Sequence, residues 1–368
     1  MDFSTALLQK IRKSLYNNFS AENFDEDRFG PYTGTNLRPT RRIKDAIKKV
    51  LMYKTLLRAQ AYVEGINSFL SGLENLYREL ALQDRRLLID IIAFRLLGFR
   101  KVKLRVNSKF YKKAIKMVDG LQTGSELIKS NFFDYKLKQY DLRQLGYDAN
   151  LNFGSKGIVI DYMLEQYAYK QNGKEVVAAG IGDTVLDLGA CWGDTAIYFA
   201  CKTGPEGKVY SFEFIPENIR LFKGNIALNP HLGSRIHLVE HPATEISGTQ
   251  LYFEDKGPCS KVQLSSFEGQ SGETLSISID DFVTNNKLEK VDFIKMDIEG
   301  AERYALQGAL QTIKKFRPKL AIAIYHSMED LVEIPQWIKS LNLGYEFFLG
   351  HYTIHNEETI LFAKPLAL

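Results

Sequence analysis

From about residue 158 onward, short apolar runs alternate with segments of helical periodicity. Strands are predicted at Thr184–Leu188, Lys208–Phe212, Ile236–Glu240, Phe293–Met296 and Lys319–Tyr325. Helices are predicted at Ile160–Tyr169, Asp194–Cys201, Pro216–Leu228, Ala301–Lys315 and Ile334–Leu341. Such alternation indicates a parallel sheet whose strands are joined by crossover helices. The chain is therefore predicted to be an α/β protein.

Two stretches depart from this alternation. Between the third and fourth core strands, Thr249–Glu254, Ser260–Ser265 and Thr274–Ile279 alternate in the manner of antiparallel strands. Near the end of the sequence, Tyr345–Leu349 and Glu358–Ala363 flank a polar turn. We predict an inserted β-ribbon in the first stretch and an antiparallel hairpin in the second. The hairpin brings the main sheet to seven strands.

The first 145 residues are predicted to be mostly helical, and no catalytic cluster is recognisable in them. The predicted elements are helices at Ala61–Leu82, Arg85–Leu97, Phe110–Leu121 and Ser125–Phe132, with a short strand at Lys101–Val106. A length of 368 residues suits two domains. We therefore predict a helical N-terminal domain at 1–145 and an α/β domain at 146–368.

Basic residues crowd one segment of the N-terminal region: Arg38, Arg41, Arg42, Lys44, Lys48, Lys49, Lys54 and Arg58. Apolar residues between them have the spacing of one helical face, at Ile43, Ile47, Val50 and Leu51. Two interpretations stay open. The segment is either a surface helix with a solvated basic side or a surface that contacts anionic lipid or a charged sugar polymer.

Composition excludes several classes of protein. Hydrophobic residues make up 45% and charged residues 25%, as in soluble globular proteins. No apolar run approaches the roughly 20 residues of a membrane span, and the N-terminus lacks the pattern of a secretory signal. Three cysteines without a CxxC pair favour a reducing compartment and disfavour a disulfide framework or a zinc site. We therefore expect a cytoplasmic protein. A net charge of +4 gives no indication of nucleic-acid binding, and we expect no nucleic-acid partner.

The strongest motif joins the first core strand to the helix that follows it. It reads Thr184-Val-Leu-Asp-Leu-Gly-Ala-Cys-Trp-Gly-Asp-Thr-Ala196, with glycines at 189 and 193. Glycine allows a sharp turn and a close approach of the backbone to a ligand. Asp187, near the strand end, either holds the loop or meets an ammonium group. Glu213 closes the next strand, about 20 residues beyond the glycines, where a carboxylate suits both hydroxyls of a ribose.

Nicotinamide dehydrogenases use a similar strand, loop and acid. Their loop is Gly-x-Gly-x-x-Gly, which seats a pyrophosphate on a helix N-terminus. Here the loop is Gly189-Ala-Cys-Trp-Gly193 and Asp194 begins the helix, so its carboxylate would repel a diphosphate but tolerate a sulfonium. The motif therefore favours S-adenosylmethionine, with Pro242 and Ala243 packing on its adenine. The predicted contact residues are Asp187, Gly189, Ala190, Trp192, Gly193, Asp194, Thr195, Glu213, Phe214, Pro242, Ala243 and Asp297.

Five ordered motifs resemble the FkbM-type methyltransferases over about 158–364. They are VLDLGACWGDTAIYFA, VYSFEFIPENIRLFKGNIALNP, VDFIKMDIEGAERYALQGAL, LAIAIYHSMEDLVEIP and GYEFFLGHYTIHNEETILFA. The resemblance implies a class I, Rossmann-like methyltransferase fold, S-adenosylmethionine as donor and methylation of an oxygen, often a sugar hydroxyl. The terminal hairpin agrees, because it distinguishes methyltransferases from all-parallel dinucleotide folds. Phe214 is a departure, since a proline often follows the acid in this family.

Methyl transfer to a hydroxyl requires alignment and a way to remove a weakly acidic proton. The candidate residues lie where strands end at the crevice of an open α/β sheet. They are Asp297 and Glu299 after the fourth core strand, His326 after the fifth, and His351 in the hairpin. Two mechanisms fit: His326 is a general base that a carboxylate orients, or all four residues hold a divalent cation that binds the acceptor hydroxyl.

Some of these residues also have a purely structural explanation. Glu299 and Glu302 suit the N-terminus of the following helix through its dipole. His351 suits a hydrogen-bonded position on the surface. These alternatives stay open from the sequence alone.

The predicted function is O-methyl transfer to a sugar, glycan or glycosylated natural product, in polysaccharide or natural-product biosynthesis. The expected partners are a small-molecule or glycan acceptor and a second copy of the chain, with peripheral membrane contact through the basic segment and no transmembrane segment. The N-terminal domain would shape the acceptor cleft or build the dimer. Two rival classes are a nicotinamide-dependent oxidoreductase and a non-catalytic adaptor that retains the methyltransferase fold.

Overall fold

The computed structural model describes residues 1–32, 60–132 and 135–366. The predicted basic helix, from Arg38 to Arg58, therefore lies outside the described residues. The strands are β1 (Gln122–Lys129), β2 (Lys136–Asp141), β3 (Asn150–Phe153), β4 (Tyr169–Gln171), β5 (Lys174–Val177), β6 (Thr184–Leu188), β7 (Lys208–Phe212), β8 (Ile236–Val239), β9 (Gln250–Glu254), β10 (Lys261–Gln263), β11 (Gly272–Leu275), β12 (Phe293–Met296), β13 (Lys319–Ala323), β14 (Tyr345–His351) and β15 (Thr359–Pro365). The helices are α1 (Phe3–Leu15), α2 (Glu26–Phe29), α3 (Gln60–Glu79), α4 (Leu82–Leu97), α5 (Ser108–Asp119), α6 (Ser155–Ile158), α7 (Asp194–Thr203), α8 (Pro216–Ala227), α9 (Pro230–Gly233), α10 (Ile279–Asn285), α11 (Glu302–Gln307), α12 (Leu310–Phe316) and α13 (Asp330–Ser340).

The main sheet has seven strands in the order β14-β15-β13-β12-β6-β7-β8. Strands β13, β12, β6, β7 and β8 run parallel, whereas β15 is antiparallel to both of its neighbours. This confirms the predicted α/β sheet with its terminal antiparallel hairpin. From β6, the next strands of the chain, β7 and β8, lie toward one edge of the sheet. From β12, the next strand, β13, lies toward the opposite edge. Ligands of open α/β sheets bind beyond the carboxyl ends of the strands at such a reversal.

The central strands are short and apolar because helices cover both faces of the sheet. All five residues of β6 and all four of β12 are buried. Parallel strands buried on both faces have continuous rather than alternating apolar sequences. This is why the strand predictions for the core are confirmed to within two residues at each end.

The N-terminal region shares a core with the sheet. Phe3 of α1 and Leu88 of α4 belong to the same apolar cluster as Ile322 of β13 and Leu331 of α13. Asp84 of α4 is fully buried and accepts a hydrogen bond from the backbone of β14, at Leu349, with an N–O distance of 3.0 Å. Helices from the first hundred residues therefore pack directly on the hairpin side of the sheet.

Several predictions of local structure are wrong. The segment Ser125–Phe132 is not helical, because most of it lies in β1 and pairs with β2, with Ile128 opposite Leu137. Residues 101–106 form turns and irregular structure rather than a strand. The helix predicted at Ile160–Tyr169 is replaced by a π-helical turn over Val159–Met163, after which Tyr169 begins β4.

The predicted helix at Ala301–Lys315 is broken into α11 and α12 near Gly308. A Cβ at this glycine would lie 2.1 Å from the carbonyl oxygen of Thr244, so the backbone of the loop after β8 approaches Gly308 closely.

The inserted ribbon is confirmed, with β9 in the middle of an antiparallel sheet in the order β10-β9-β11. Its last predicted strand ends early, because Ile279 begins α10. Within the described residues, no helix is both long and apolar enough to cross a membrane.

Candidate functional site

The glycine loop between β6 and α7 brings two strand ends together. Gly189 has φ of +83°, and a Cβ there would lie 1.9 Å from the carbonyl oxygen of Asp297. Gly193 has φ of +84°, and a Cβ there would lie 3.0 Å from the ring of Phe222. Both positions therefore require glycine for the turn and for close packing. The loop lies against the end of β12, which carries the acceptor-side candidates.

Asp187 is fully buried beneath this loop. Its Oδ2 accepts hydrogen bonds from Thr195 Oγ1 at 2.8 Å and from Ser211 Oγ at 3.2 Å. Its Oδ1 lies 3.2 Å from Lys295 Nζ. Of the two predicted roles, these contacts are those of a residue that holds the loop.

Lys295 is a functional candidate that the sequence analysis missed. Its ammonium donates to the carbonyl oxygens of Leu188 at 3.0 Å and Gly189 at 2.7 Å, and its side chain is almost completely buried. Burial favours the neutral amine, but Asp187 and Asp297 outweigh it and hold the pKa of Lys295 above its usual value. The only sequence signal was a lysine inside an otherwise apolar strand.

Glu213 ends β7 with its carboxylate held from several sides. Oε1 accepts hydrogen bonds from the backbone of Phe214 at 2.6 Å and Ile215 at 2.8 Å, and Oε2 accepts one from Asn218 Nδ2 at 3.1 Å. Burial raises the pKa of Glu213 to about 7, although these hydrogen bonds oppose the shift. Phe214, where the resemblance led us to expect proline, packs edge to face on Phe253 of the ribbon.

The other predicted donor residues are packed into the surrounding elements. Ala190 is fully buried, and Trp192 is 3% exposed with its Nε1 donating to Asn218 Oδ1 at 3.1 Å. The carbonyl oxygen of Pro242 accepts a hydrogen bond of 3.0 Å from the backbone of Ile277, to which Ala243 is bridged. The segment after β8 is thus tied to the start of α10.

Asp194 begins α7, and its carboxyl group interacts with the carboxyl group of Asp161 in the π-helical turn. Both residues are buried. Burial raises the pKa of Asp194 to about 7 and, together with the charge of Asp194, raises the pKa of Asp161 well above its ordinary value. Two neighbouring carboxyl groups retain a proton because they cannot both ionise cheaply. A cation near this pair would replace that proton.

Asp297 lies at the junction of the donor and acceptor sides. Tyr167 Oη donates to its Oδ2 at 2.9 Å, and Tyr325 Oη donates to its Oδ1 at 3.0 Å. His326 Nε2 lies 3.5 Å from the same Oδ1. The two tyrosines fix the carboxylate at the end of β12, a role that no local pattern in the sequence indicated.

His326 is surrounded by three carboxylates. Its Nδ1 lies 3.1 Å from Glu302 Oε1, and its Nε2 lies 3.7 Å from Glu299 Oε2 and 3.5 Å from Asp297 Oδ1. Burial would lower the pKa of the imidazole, but Glu302, Asp297 and Glu299 outweigh it and raise the pKa to about 10. In this arrangement the ring carries a proton at neutral pH instead of being free to accept one.

One group of three residues has a geometry that suits a metal ion. Within the part of the chain that the structure describes, ligand atoms of Asp297, Glu302 and His326 lie within 4.8 Å of one another. Glu302 is fully buried, and its Oε1 accepts a hydrogen bond of 2.8 Å from the backbone of Ile298. Sequence reasoning had assigned Glu302 only a helix-dipole role. The sequence signal that could have pointed to Glu302 is a second glutamate, three residues after Glu299, at the start of a helix.

His351 is not a member of this group. Its Nδ1 is paired with Thr359 Oγ1 at 2.9 Å across the hairpin, and only 4% of the residue is exposed. Burial lowers its pKa to about 4, so the ring is neutral. The alternative of a surface histidine is therefore wrong, and His351 is a buried hydrogen-bonded residue.

Comparisons with known proteins bear on the family and the fold of the chain. Residues 177–347 match the family model described as "Methyltransferase FkbM domain". The crystal structure of methyltransferase FkbM from Methylobacillus flagellatus KT is similar, with 19% identity and a TM-score of 0.51 over 83% of this chain. The chain covers 60% of that protein. No curated protein matches the chain.

Two further solved structures are similar at lower scores. Aeropyrum pernix fibrillarin, solved with natively bound S-adenosyl-L-methionine, has 15% identity and a TM-score of 0.34, covering 65% of this chain and 100% of that one. The O-methyltransferase from Bacillus cereus, solved in complex with SAH, has 13% identity and a TM-score of 0.33, covering 50% and 74%. The fold is that of class I methyltransferases. Residues 177–347 of this chain form a domain of the FkbM methyltransferase family.

Proposed function

We propose that the protein transfers a methyl group from S-adenosylmethionine to a hydroxyl of a sugar, glycan or glycosylated natural product. The family of the 177–347 domain supports methyl transfer. The observation that carries the donor assignment is the excess of buried carboxyl groups around the glycine loop. Asp161, Asp187, Asp194 and Glu213 are all buried there, opposite the ammonium of Lys295. Such a crevice favours a cationic ligand and disfavours a diphosphate.

The residues around the glycine loop have distinct parts in binding the donor. When bound, S-adenosylmethionine supplies an electrophilic methyl group on a positively charged sulfur. Glu213 accepts hydrogen bonds from the ribose hydroxyls, for which its carboxylate retains free lone pairs beyond the three that its protein donors use. The Asp161–Asp194 pair releases its proton in favour of the ligand's positive charge. Lys295 and Asp187 keep the loop in the shape that admits the ligand.

The acceptor is activated at the Asp297–Glu302–His326 group. Both ring nitrogens of His326 and Oε2 of Glu302 are buried and, among the described residues, have no hydrogen-bond partner of acceptable geometry. Unpaired buried polar atoms with this mixture of oxygen and nitrogen donors fit a divalent cation. These three residues would hold the ion, which would lower the pKa of a bound hydroxyl. The ion would take the place of the proton that the three carboxylates hold on His326, because only a neutral imidazole coordinates a metal.

The N-terminal region contributes to the acceptor cleft. Arg95 of α4 donates to the carbonyl oxygens of Tyr325 at 3.1 Å and Asn356 at 3.3 Å, on either side of the acceptor edge. Arg28 pairs with Glu357 at 2.6 Å. Because these contacts lie beside His326 and the hairpin turn, the first hundred residues help to shape the space that an acceptor occupies.

Transfer of radiolabelled methyl tests the proposal. The full chain is incubated with labelled S-adenosylmethionine and pools of hydroxylated glycans and glycosylated small molecules, with His326→Ala as the matched inactive variant. Label should appear in an acceptor with the wild type and not with the variant. Failure to label any hydroxylated acceptor pool, in a protein that binds the donor, would contradict the assignment of the acceptor.

A further inference from the structure

A row of four polar side chains connects the inserted ribbon to Glu213, and we call it the amide row. Asp255, just after β9, accepts a hydrogen bond from Asn131 Nδ2 at 2.6 Å. Asn131 Nδ2 also donates to Asn218 Oδ1 at 2.9 Å. Asn218 Nδ2 in turn donates to Glu213 Oε2 at 3.1 Å. The row therefore joins the loop after β1, the ribbon, α8 and the end of β7.

Neighbouring groups that can only donate or only accept determine which way each amide group points. Asp255 can only accept, so the NH₂ group of Asn131 faces it. Asn218 Oδ1 receives two donors, from Asn131 and from the indole Nε1 of Trp192 at 3.1 Å. An indole N–H can only donate, so the oxygen of Asn218 must face it and the NH₂ group of Asn218 must face Glu213. A reversed amide would place an oxygen against the carboxylate.

The direction of one carboxylate oxygen depends on this amide. Oε1 of Glu213 accepts hydrogen bonds from two backbone amides, whereas Oε2 accepts one from the side chain of Asn218. Asn218 is 2% exposed and Glu213 is 6% exposed, so little water competes for these hydrogen bonds. Without the amide in its present orientation, Oε2 loses this donor, and only the backbone amides at Oε1 hold the carboxylate in the position that meets a ribose.

Close packing keeps the ribbon in place at the start of the row. A Cβ at Gly257 would lie 3.0 Å from Asn131 Oδ1 and 3.1 Å from Phe132 Cβ. Gly257 also has φ of +60°, which disfavours other residues. The backbone of the ribbon thus approaches the loop after β1 too closely to admit a side chain.

We propose that Asn131 is a positioning residue of the donor site, acting on Glu213 through Asn218. Asn131 lies outside the 177–347 domain, so the region before that domain completes the donor site. The inference rests on the proposed function, because it assigns Glu213 to the ribose of S-adenosylmethionine. It adds a specificity determinant for the ribose hydroxyls that neither the family domain nor the glycine loop contains.

Asn131→Leu tests the proposal, since leucine has a similar volume and no polar atoms. Affinity for S-adenosylhomocysteine is measured by calorimetry, alongside the analogue that lacks the 2′ and 3′ hydroxyls. The variant should bind S-adenosylhomocysteine about tenfold more weakly, because Asn218 Oδ1 loses one of its two donors and the amide then holds Glu213 less firmly. It should lose little affinity for the analogue, because the contact at stake is with the missing hydroxyls. Asn17→Leu is the matched control, since Asn17 Nδ2 bonds the carbonyl of Lys101 instead.

The outcomes separate the inference from the proposed function. If the wild type binds no S-adenosylhomocysteine, the proposed function fails and the inference with it. If the wild type binds and Asn131→Leu binds equally well, only the inference fails. Equal weakening toward both ligands indicates a merely structural role and also overturns it. Asp255→Ala provides a second variant on the ribbon, which should show a smaller loss with the same dependence on the hydroxyls.

Discussion

The donor side and the acceptor side of the crevice differ in how many of their buried polar atoms have hydrogen-bond partners. On the donor side, the carboxylate of Asp187 contacts Thr195, Ser211 and Lys295, and Glu213 has three donors of its own. On the acceptor side, His326 and Glu302 retain buried atoms without hydrogen-bond partners among the described residues. The donor side is thus mostly hydrogen-bonded before a ligand arrives, although Asp187 Oδ1 and Asp194 Oδ1 also lack a hydrogen-bond partner among the described residues, whereas on the acceptor side both ring nitrogens of His326 lack one.

This difference has a consequence for mutations. A change on the donor side removes a partner from a satisfied network and should cost stability as well as binding. Removing His326 deletes ring nitrogens that have no hydrogen bond of good geometry, but it also takes a positive charge away from nearby carboxylates, so activity should fall much more than stability. The predictions below test that contrast.

The largest expected effect is on folding, from Lys295→Met. The variant leaves Asp187 buried without its cation, and loss of one partner of a buried ion pair costs about 3–5 kcal/mol. Urea denaturation measures the free energy of unfolding. The control is Lys290→Met, because Lys290 is 55% exposed and pairs with Asp292 on the surface. A loss no greater than that of the control would show that the donor side is not held by this pair.

The next largest effect is expected on activity, from His326→Ala. Methyl transfer should fall by about 10²–10⁴-fold, the range for a group that activates the reacting hydroxyl. Affinity for S-adenosylhomocysteine should stay close to that of the wild type, and the free energy of unfolding should fall by less than in Lys295→Met. His237→Ala is the control, since His237 stacks on Tyr210 at the edge of the sheet. Wild-type activity in His326→Ala would remove both proposed mechanisms.

Removal of divalent cations distinguishes those mechanisms. After exhaustive chelation, methyl transfer should fall by about a hundredfold, because a Lewis acid contributes several kcal/mol to activation of the hydroxyl. Re-addition of Mg²⁺, Mn²⁺, Fe²⁺ or Zn²⁺ should restore it, and donor affinity should not change. Full activity in the chelated protein would instead support His326 as a general base without a metal.

The smallest effect is the pH dependence of donor binding. Burial raises the pKa values of Glu213 and Asp194 to about 7, and the ligand prefers both groups ionised. Affinity for S-adenosylhomocysteine should therefore rise with pH through about 7 and level off above it, by at most about tenfold per pH unit for each group. Glu213→Gln should flatten this profile, and an unchanged profile in that variant would show that Glu213 does not titrate on binding.

The raised pKa values also determine how the stability of the fold changes with pH. A carboxyl group whose folded pKa lies above its unfolded value binds more protons in the folded state. Its contribution to stability is present below the unfolded pKa of about 4.5 and is lost as pH rises through the folded value near 7. Thermal unfolding should show that the wild type loses stability relative to Glu213→Gln between these values. A constant difference would contradict the raised pKa.

The sequence could predict those features that follow from local pattern. Gly189 and Glu213 lie where a strand meets a turn, and the apolar periodicity around them is sufficient to locate both. Ser125–Phe132 was mispredicted because its strand is defined by a partner, β2, that local propensity does not reveal. Lys295 and Glu302 were missed because their roles arise from burial and from contacts between distant segments. The dimer, the cytoplasmic location, the membrane contact and the identity of the acceptor stay predictions.

The most direct test of the central claim is calorimetric titration of the wild-type chain with S-adenosylhomocysteine and, separately, with NAD. The excess of buried carboxyl groups around the glycine loop predicts saturable binding of S-adenosylhomocysteine, a product that retains the ammonium and the ribose, and no binding of the dinucleotide. Binding of NAD without binding of S-adenosylhomocysteine would contradict the assignment of the donor and all the acceptor chemistry that depends on it.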